Sequence, residues 1–404
     1  MAADAGPALR VAMVCPYDVS RPGGVQGQAL GLSRALRRLG HEVVVISPDD
    51  RAPGWVTQQR YAVGRSVPLR ANGSVAPVSV SPLAARRALG AARDWGADVV
   101  HLHEPLAPVL GYGFLLVGRW PVVATFHRSG VPRSAPLAAP LTRRICRRIE
   151  VRAAVSDAAR RTAAAWCGGS FEVLFNGLDG DRFARARARA RPVAPELPAI
   201  VFLGRHEHRK GLAVLLEAFG AGGLDAQLWV IGEGPETASL RARYLESDRL
   251  HWLGALSDEE VASRLSAASV LCAPSLGAES FGMVLLEGMA ARCRVVASDI
   301  PGYRDAAGGH ATLVPPADVP ALRGALSAAL APAHHAQALD APALDAAALD
   351  AQALDAAALD AAASYAAQWS MDRLAQRYIE AYRSAVRLAS RSSPAPAWRR
   401  HEQR

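Results

Sequence analysis

Residues 274–287, Pro-Ser-Leu-Gly-Ala-Glu-Ser-Phe-Gly-Met-Val-Leu-Leu-Glu, decide how the rest of the chain is interpreted. An apolar run over 268–273 precedes them and predicts a strand that stops at Pro274. After a loop of small residues, apolar side chains at 281, 284, 285 and 289 predict a helix. The backbone N–H groups that begin a helix have no intrahelical partners and lie at the positive end of its dipole. The stretch therefore predicts a strand–loop–helix unit that suits an anion.

Two glutamates flank this predicted helix start, and a carboxylate cannot bind phosphate. We therefore assign both acids to hydroxyl groups, Glu279 to a sugar and Glu287 to a ribose. Glycines 277 and 282 would let a ligand approach the backbone closely. The stretch thus predicts a site for a nucleotide-diphosphate sugar. The alternative is an ordinary strand-to-helix turn with two solvated glutamates.

Length and composition indicate a globular protein of two or three domains. The chain has 404 residues, of which 50% are apolar and 21% charged. Its five cysteines are odd in number and form no C-x-x-C, which argues against a disulfide framework and a structural zinc site and favours a reducing compartment. No leader-like segment opens the chain, and no apolar run approaches a membrane span. We therefore expect a cytoplasmic protein, either free or attached peripherally to the inner face of the cell membrane.

The net charge of +9 predicts an anionic partner. Nucleic acid is disfavoured because the arginines are scattered through both halves, and because only 6% of residues are aromatic and none interleave with basic runs. We expect a diphosphate ligand and an anionic membrane surface instead.

The first 50 residues predict a strand–loop–helix–strand unit, in which Gly23 and Gly24 precede the helix. Backbone donors there could meet a phosphate, although a tight turn explains a glycine pair equally well. Two later apolar runs end in polar groups, at His103-Glu104 and at His127. A histidine at a strand end can donate to a sugar hydroxyl, and we favour that role for His127 over a structural one. We interpret His103 and Glu104 as structural.

The segment 204–211, Gly-Arg-His-Glu-His-Arg-Lys-Gly, separates a predicted strand from a predicted helix. Arg205 and Lys210 would present a fork and a point charge to a diphosphate whose negative charge grows as the sugar leaves. Basic residues in a loop can also be merely solvated. We include Arg205 and Lys210 in the site and leave Arg209 out.

The two acids form an E-x7-E pattern around Phe281 and Gly282, and this resembles the signature of family 4 retaining glycosyltransferases, which have the GT-B fold. The runs Gly-Gly-Val at 23–25, Val-Ala-Thr-Phe-His at 123–127 and Leu-Gly-Arg to Lys-Gly at 203–211 support the resemblance. Residues 13–26, 72–75, 101–108 and 154–160 also resemble the actinobacterial phosphatidylinositol mannosyltransferases.

The resemblance implies an α/β protein of the GT-B class, with two Rossmann-like domains that face a cleft and a C-terminal helix that crosses back to the first. Residues 1–180 would bind the acceptor, 181–370 the nucleotide sugar, and 371–404 would form the crossing helix and tail. It implies transfer of mannose from GDP-mannose to a lipid such as phosphatidylinositol, without metal or cofactor. The implied site consists of catalytic His127, Arg205, Lys210 and Glu279; donor-binding Gly24, Arg205, Lys210, Phe281, Gly282, Met283 and Glu287; and acceptor-binding Tyr17, Gln26, Asn72 and His127.

The chain departs from the family pattern after His127, at Val261, and after Val75, where arginines expected of the family are absent. Arg-Ser-Gly-Val-Pro-Arg follows His127, where the family has threonines and a lysine, so a soluble small-molecule acceptor remains an alternative to a lipid. Val261 replaces a lysine, which leaves guanine and uracil donors open, and Asp258 is either a base contact or a helix cap. A GT-B epimerase or phosphorylase and a non-catalytic lipid- or partner-binding protein are the rival functions.

Three further segments carry expectations of their own. Leu141, Ile145 and Ile149 with neighbouring arginines predict an amphipathic helix that either lies on anionic lipid or packs on the core with a solvated basic face. Residues 182–198 are interpreted as a linker with solvated arginines. Residues 336–360 repeat with a period of five and predict a helical or disordered insertion without a catalytic role.

Overall fold

The computed structural model describes residues 6–21, 23–50, 53–71, 74–128, 130, 135–189, 197–277, 279, 281–338 and 346–392. The chain divides into two compact units. Unit 1 consists of residues 1–177 and 371–404, and unit 2 of residues 178–370.

Unit 1 is built on one twisted sheet with helices on both faces. Its elements up to residue 177 are β1 (Arg10–Val14), α1 (Gly24–Arg38), β2 (Glu42–Ser47), β3 (Gly54–Thr57), β4 (Arg60–Ala62), β5 (Val67–Ala71), β6 (Ser74–Val78), α2 (Pro82–Asp94), β7 (Val99–His103), α3 (Leu110–Val117), β8 (Val122–Phe126), α4 (Ala135–Cys146), β9 (Val151–Ala154), α5 (Asp157–Cys167) and β10 (Glu172–Val173). The strand order is β10-β9-β8-β7-β1-β2-β4-β3, in which β3 runs antiparallel to β4 and the other pairs are parallel, and β5 and β6 form a separate hairpin.

Alternation along β1 shows why both faces of this sheet are covered. Val11 and Met13 join one apolar core, whereas Ala12 and Val14 join another. Side chains on successive residues of a strand point to opposite faces, so a strand that is apolar throughout requires helices on each side. The continuous apolar runs of the sequence therefore produce a doubly wound unit.

Unit 2 repeats this architecture with a fully parallel sheet. Its elements are α6 (Asp181–Arg189), β11 (Ala199–Leu203), a 3-10 turn (His208–Lys210), α7 (Leu212–Gly220), β12 (Gln227–Ile231), α8 (Thr237–Arg243), β13 (Leu250–Gly254), α9 (Asp258–Ala267), β14 (Val270–Ala273), α10 (Met283–Ala290), β15 (Arg294–Ser298), α11 (Pro301–Ala307), β16 (Thr312–Val314), α12 (Val319–Ala338) and α13 (Ala346–Ala367). The strand order is β13-β12-β11-β14-β15-β16. The connections reverse direction between β11 and β14, and such a switch point is where parallel sheets bind ligands.

The last helix, α14 (Met371–Ser392), returns to unit 1 and packs on α1 and on the sheet. The Tyr382 hydroxyl lies 2.8 Å from His101 Nδ1, and the Thr125 hydroxyl lies 2.7 Å from both His101 Nε2 and the Tyr378 hydroxyl. These polar side chains are buried under α14, and burying them without hydrogen bonds would cost free energy. Their mutual hydrogen bonds offset that cost. The predicted pair of Rossmann-like domains and the returning C-terminal helix are confirmed.

The odd cysteine count did not predict the disulfide that the structure contains. Cys146 at the end of α4 and Cys167 at the end of α5 form a disulfide, with Cα atoms 5.5 Å apart. The helices α4 and α5 pack on each other, and this long-range pairing brings two of the five cysteines together. The remaining three, Cys15, Cys272 and Cys293, are free and buried.

The predicted amphipathic face over 141–149 is also corrected. Helix α4 ends at Cys146, so Ile149 lies beyond it, and Leu141 is exposed. Ile145 and Ile149 are buried in the core of unit 1. The segment therefore packs on the core, the second of the two alternatives. Within the described residues, no helix has the length and apolar character needed to cross a membrane.

The predicted linker and insertion both contain docked helices. Helix α6 occupies 181–189 and contacts α9, so its arginines are not all solvated. Helix α13 contains the last repeats and packs on α10, with Asp355 paired to Arg294 and Asp360 to Arg292. Residues 339–345 of the repeat lie outside the described residues.

Candidate active site

Two loops of unit 2 leave the sheet at its switch point. We call residues 204–211 the cation loop and residues 274–282 the acid loop. The cation loop follows β11 and the acid loop follows β14, and these strands are hydrogen-bonded neighbours. Because both strands run in the same direction, their carboxyl ends place the two loops side by side.

The two loops are joined by a chain of ion pairs. Lys210 Nζ lies 2.6 Å from Glu279 Oε1, and an Arg209 guanidinium nitrogen lies 2.8 Å from the same oxygen. Arg209 also pairs with Glu207 at 3.0 Å, and Arg205 pairs with the other Glu207 oxygen at 3.2 Å. Three cations thus meet two carboxylates. The excess positive charge suits an anionic ligand.

Arg209 belongs to this network, although the sequence analysis left it out. It bridges the two acids, whereas Arg205 contacts Glu207 and keeps 46% of its side-chain area exposed. The sequence also marks Lys210 in another way. Lys210 is the only lysine in a chain that has 46 lysines and arginines together.

Backbone packing holds the cation loop against the acid loop. Gly211 has φ +68°, and a Cβ there would lie 1.9 Å from the Pro274 carbonyl oxygen. The Leu276 N–H donates to the Arg209 carbonyl at 2.8 Å. Gly211 therefore provides both the left-handed turn and the close approach, for which a side chain leaves no room.

The start of α10 differs from the expectation in one respect. Gly282 has φ +81°, and a Cβ there would lie 2.5 Å from the Tyr303 ring. The absence of a side chain at Gly282 therefore lets Tyr303 pack against the backbone. Because the Tyr303 ring occupies this space, a ligand cannot approach Gly282 from that side. Phe281 is buried, with its ring 5.4 Å from that of Trp369, and Met283 is the first residue of α10. A Cβ on Gly277 would meet nothing within 4 Å among the described residues.

Glu287 is held by Arg182, a residue that the sequence analysis placed in a solvated linker. The Arg182 guanidinium lies 2.5 Å from Glu287 Oε1 and 3.3 Å from Asp258 Oδ1. Burial raises the pKa of Glu287, and the Arg182 charge opposes that shift. Asp258 is the first residue of α9, but Ser257 is its cap, with its hydroxyl accepting from the Glu260 N–H. The cap interpretation of Asp258 is therefore wrong.

In unit 1, His127 follows β8 and is held by two neighbours. Its Nε2 lies 2.9 Å from His103 Nδ1, so Nδ1 is the ring nitrogen that remains for other contacts. The Glu104 carboxylate accepts from the backbone N–H groups of His127 and Arg128. The structural role of His103 and Glu104 thus consists of holding His127.

The other residues predicted for unit 1 differ in accessibility. A Cβ on Gly24, the first residue of α1, would meet nothing within 4 Å in the part of the chain that the structure describes. Tyr17 is half-buried, and burial together with the Glu104 charge raises the pKa of its hydroxyl. Gln26 is buried and its side-chain amide donates to the Asp18 carbonyl at 3.4 Å. Asn72 lies outside the described residues.

No group of three or more histidine, cysteine, aspartate or glutamate side chains is placed to hold a metal ion in the part of the chain that the structure describes. The excess positive charge at the loops of unit 2 comes from Arg205, Arg209 and Lys210.

Comparison with known proteins decides the family. The family profile "Glycosyltransferase Family 4" matches residues 22–182, and "Glycosyl transferases group 1" matches residues 197–331. A phosphatidyl-myo-inositol mannosyltransferase of Mycobacterium leprae (strain TN) is 39% identical over 337 residues, which cover 80% of this chain and 87% of the relative. The chain belongs to the family 4 glycosyltransferases. Its activity class is therefore glycosyl transfer.

Two further relatives extend the comparison of this glycosyltransferase. A GDP-mannose-dependent alpha-mannosyltransferase of Mycobacterium tuberculosis (strain CDC 1551 / Oshkosh) is 29% identical over 321 residues, covering 75% of this chain and 82% of the relative. The crystal structure of HepE from Anabaena in complex with UDP and glucose superposes with a TM-score of 0.65 at 16% identity, covering 93% of this chain and 100% of that one. The latter similarity establishes the GT-B fold.

The buried histidines of unit 1 predict acid sensitivity of this glycosyltransferase. Burial lowers the pKa of His103 to about 3 and lowers that of His127, while the pKa of a histidine in the unfolded chain is about 6.5. Between these values the unfolded chain binds protons that the folded chain does not. The free energy of unfolding should therefore fall as the pH falls below about 6.5, by up to about 1.4 kcal/mol per pH unit for each such histidine.

Urea unfolding at pH 7, 6 and 5 measures this slope. His103→Asn should make it shallower, whatever its effect on stability at pH 7. His208→Asn is the control, because that side chain is 85% exposed. An equal slope in His103→Asn and wild type would show that His103 is not held neutral.

Proposed function

We propose that this glycosyltransferase transfers mannose from GDP-mannose to phosphatidylinositol with retention of configuration. The observation that carries the proposal is the ion-pair chain at the switch point of unit 2, where Lys210 and Arg209 converge on Glu279. The named activities of the relatives support the choice of donor and acceptor.

The donor would lie on unit 2. Arg205 and Lys210 would bind the diphosphate together with the backbone N–H groups at the start of α10. These positive groups would stabilise the charge that develops on the leaving diphosphate, and a fixed site does so without reorganising solvent. Glu279 would accept from a sugar hydroxyl and Glu287 from the ribose.

The acceptor would lie on unit 1, near His127, Tyr17 and Gln26. Burial lowers the pKa of His127, so a neutral imidazole would be available to donate to or accept from a sugar hydroxyl. The acceptor hydroxyl would attack from the side of the leaving group, and the departing phosphate would take its proton. The protein would then contribute positioning and electrostatic stabilisation to the reaction.

Nucleotide preference tests the donor. GDP-mannose should raise the melting temperature of the protein more than UDP-glucose or ADP-glucose, because a ligand that binds only the folded state stabilises it by mass action. Equal shifts with all three, or none, would contradict the GDP-mannose assignment.

Transfer to vesicles tests the acceptor. Radiolabelled mannose should enter the lipid fraction with phosphatidylinositol vesicles and not with phosphatidylcholine vesicles. Label in a water-soluble product would indicate a soluble acceptor, and sugar released or isomerised without vesicles would indicate the phosphorylase or epimerase alternative. If the protein floated with phosphatidylinositol vesicles and not with phosphatidylcholine vesicles, the result would support an anionic membrane surface as a partner.

A further inference from the structure

Arg182 lies at the start of α6 and is largely enclosed by unit 2. Only 12% of its side-chain area is exposed. The next residue, Phe183, is fully buried, and the Arg182 guanidinium carbon lies 4.7 Å from its ring centroid. Arg187, farther along α6, donates to the Ala290 carbonyl at 2.5 Å. Contacts from Arg182 and Arg187 thus hold both halves of helix α6 against the rest of unit 2.

One guanidinium group contacts two acids that come from different helices. Arg182 reaches Glu287 in α10 through one terminal nitrogen and Asp258 in α9 through the other, at 2.5 Å and 3.3 Å. A planar fork that donates in two directions fixes both the distance and the orientation of its partners. A lysine could not do this, because it is a point charge on a flexible stem.

We propose that Arg182 is a positioning residue for the nucleoside half of the donor, which it acts on by holding Glu287 and Asp258 in a fixed relation. This inference rests on the proposed function, in which Glu287 meets the ribose. Arg182 engages Glu287 Oε1, and in the proposal the ribose hydroxyl would bind the second carboxylate oxygen. Asp258, with 76% of its side chain exposed, is the acid of the pair that is open to the base.

The enclosure of Glu287 gives the arginine a second task. Burial favours the neutral form of a carboxyl group, which accepts hydrogen bonds more weakly than the carboxylate. The adjacent guanidinium charge favours the carboxylate. Arg182 thereby supplies both the geometry and the charge state that a ribose hydroxyl requires.

Nucleotides that differ only in the ribose hydroxyls test the proposal. GDP and 2′,3′-dideoxy-GDP are titrated by calorimetry into wild type, Arg182→Gln, Arg182→Lys and Arg185→Gln. Wild type should prefer GDP by about 10-fold to 100-fold, the range for a hydrogen bond to a charged group. Arg182→Gln should reduce the preference to about threefold or less, and Arg182→Lys should restore part of it because the charge returns. Arg185→Gln, an exposed position on the same helix, should match wild type.

The ratio of the two affinities is independent of the folded fraction, because unfolded molecules bind neither nucleotide. The proposal is overturned if Arg182→Gln prefers GDP over the dideoxy nucleotide as strongly as wild type does. If Arg182→Gln does not fold, the same result for Arg182→Lys overturns it. Failure of wild type to bind GDP at all would instead refute the proposed donor. If wild type bound GDP but did not distinguish it from the dideoxy nucleotide, the ribose role of Glu287 would be wrong.

Discussion

Lys210→Ala should lower kcat about 1,000-fold, while the dissociation constant for GDP-mannose changes only a few-fold. Lys210 is 2.6 Å from Glu279, and its charge faces the place where the leaving diphosphate would gain negative charge. Loss of one such preorganised group costs about 3–4 kcal/mol in the transition state and less in the ground state. Single-turnover kinetics and calorimetry measure the two quantities separately. Arg189→Ala, which removes an exposed cation of the same unit, should leave both unchanged.

The unique lysine allows Lys210 to be observed directly. Reductive methylation with ¹³C-formaldehyde labels amines and preserves the positive charge, so the labelled protein should show one side-chain signal besides that of the N-terminal amine. GDP should shift the side-chain signal. If GDP binds without shifting it, and if Lys210→Ala retains its turnover, Lys210 does not contact the diphosphate.

Gly211→Ala should destabilise unit 2 by about 2–5 kcal/mol and abolish transfer. Alanine at a left-handed φ costs about 1–2 kcal/mol, and forcing a side chain into packed atoms commonly costs about 1–3 kcal/mol more. At this position the added carbon would meet the Pro274 carbonyl oxygen at 1.9 Å, which neither loop can avoid without moving. Separating the loops would also separate Lys210 and Arg209 from Glu279.

Gly222→Ala is the matched control for this substitution. Gly222 has φ +78°, close to the +68° of Gly211, but an added Cβ would meet none of the described residues within 4 Å. Thermal unfolding should show a loss of about 1–2 kcal/mol for Gly222→Ala, with transfer activity retained. If the two variants unfolded at the same temperature, the contact with Pro274 would be irrelevant and only the backbone angle would matter.

The fold could be predicted because its signals are local. Apolar runs and the residues that end them define β11, β14 and α10 within a few positions, and these elements place Lys210 and Glu279 at neighbouring strand ends. The ion pairs of Arg182 and Arg209 could not be predicted, because their acid partners are 105 and 70 residues away. A run of alternating arginine and alanine contains no information about which arginine is enclosed.

The disulfide was missed for a similar reason. An odd number of cysteines does not tell which of them lie close together in the fold. Cys146 and Cys167 pair because α4 packs against α5. The assignments of individual residues to donor and acceptor remain predictions, and the substitutions above test those on unit 2.

The docking of α13 limits how the repeated tract can change in length. Each five-residue unit turns an α-helix by about 140°, so a unit gained or lost after Asp360 would rotate Tyr365 and Trp369 away from His310 and Phe281. The C-terminal end of the tract is therefore locked in register beside the acid loop.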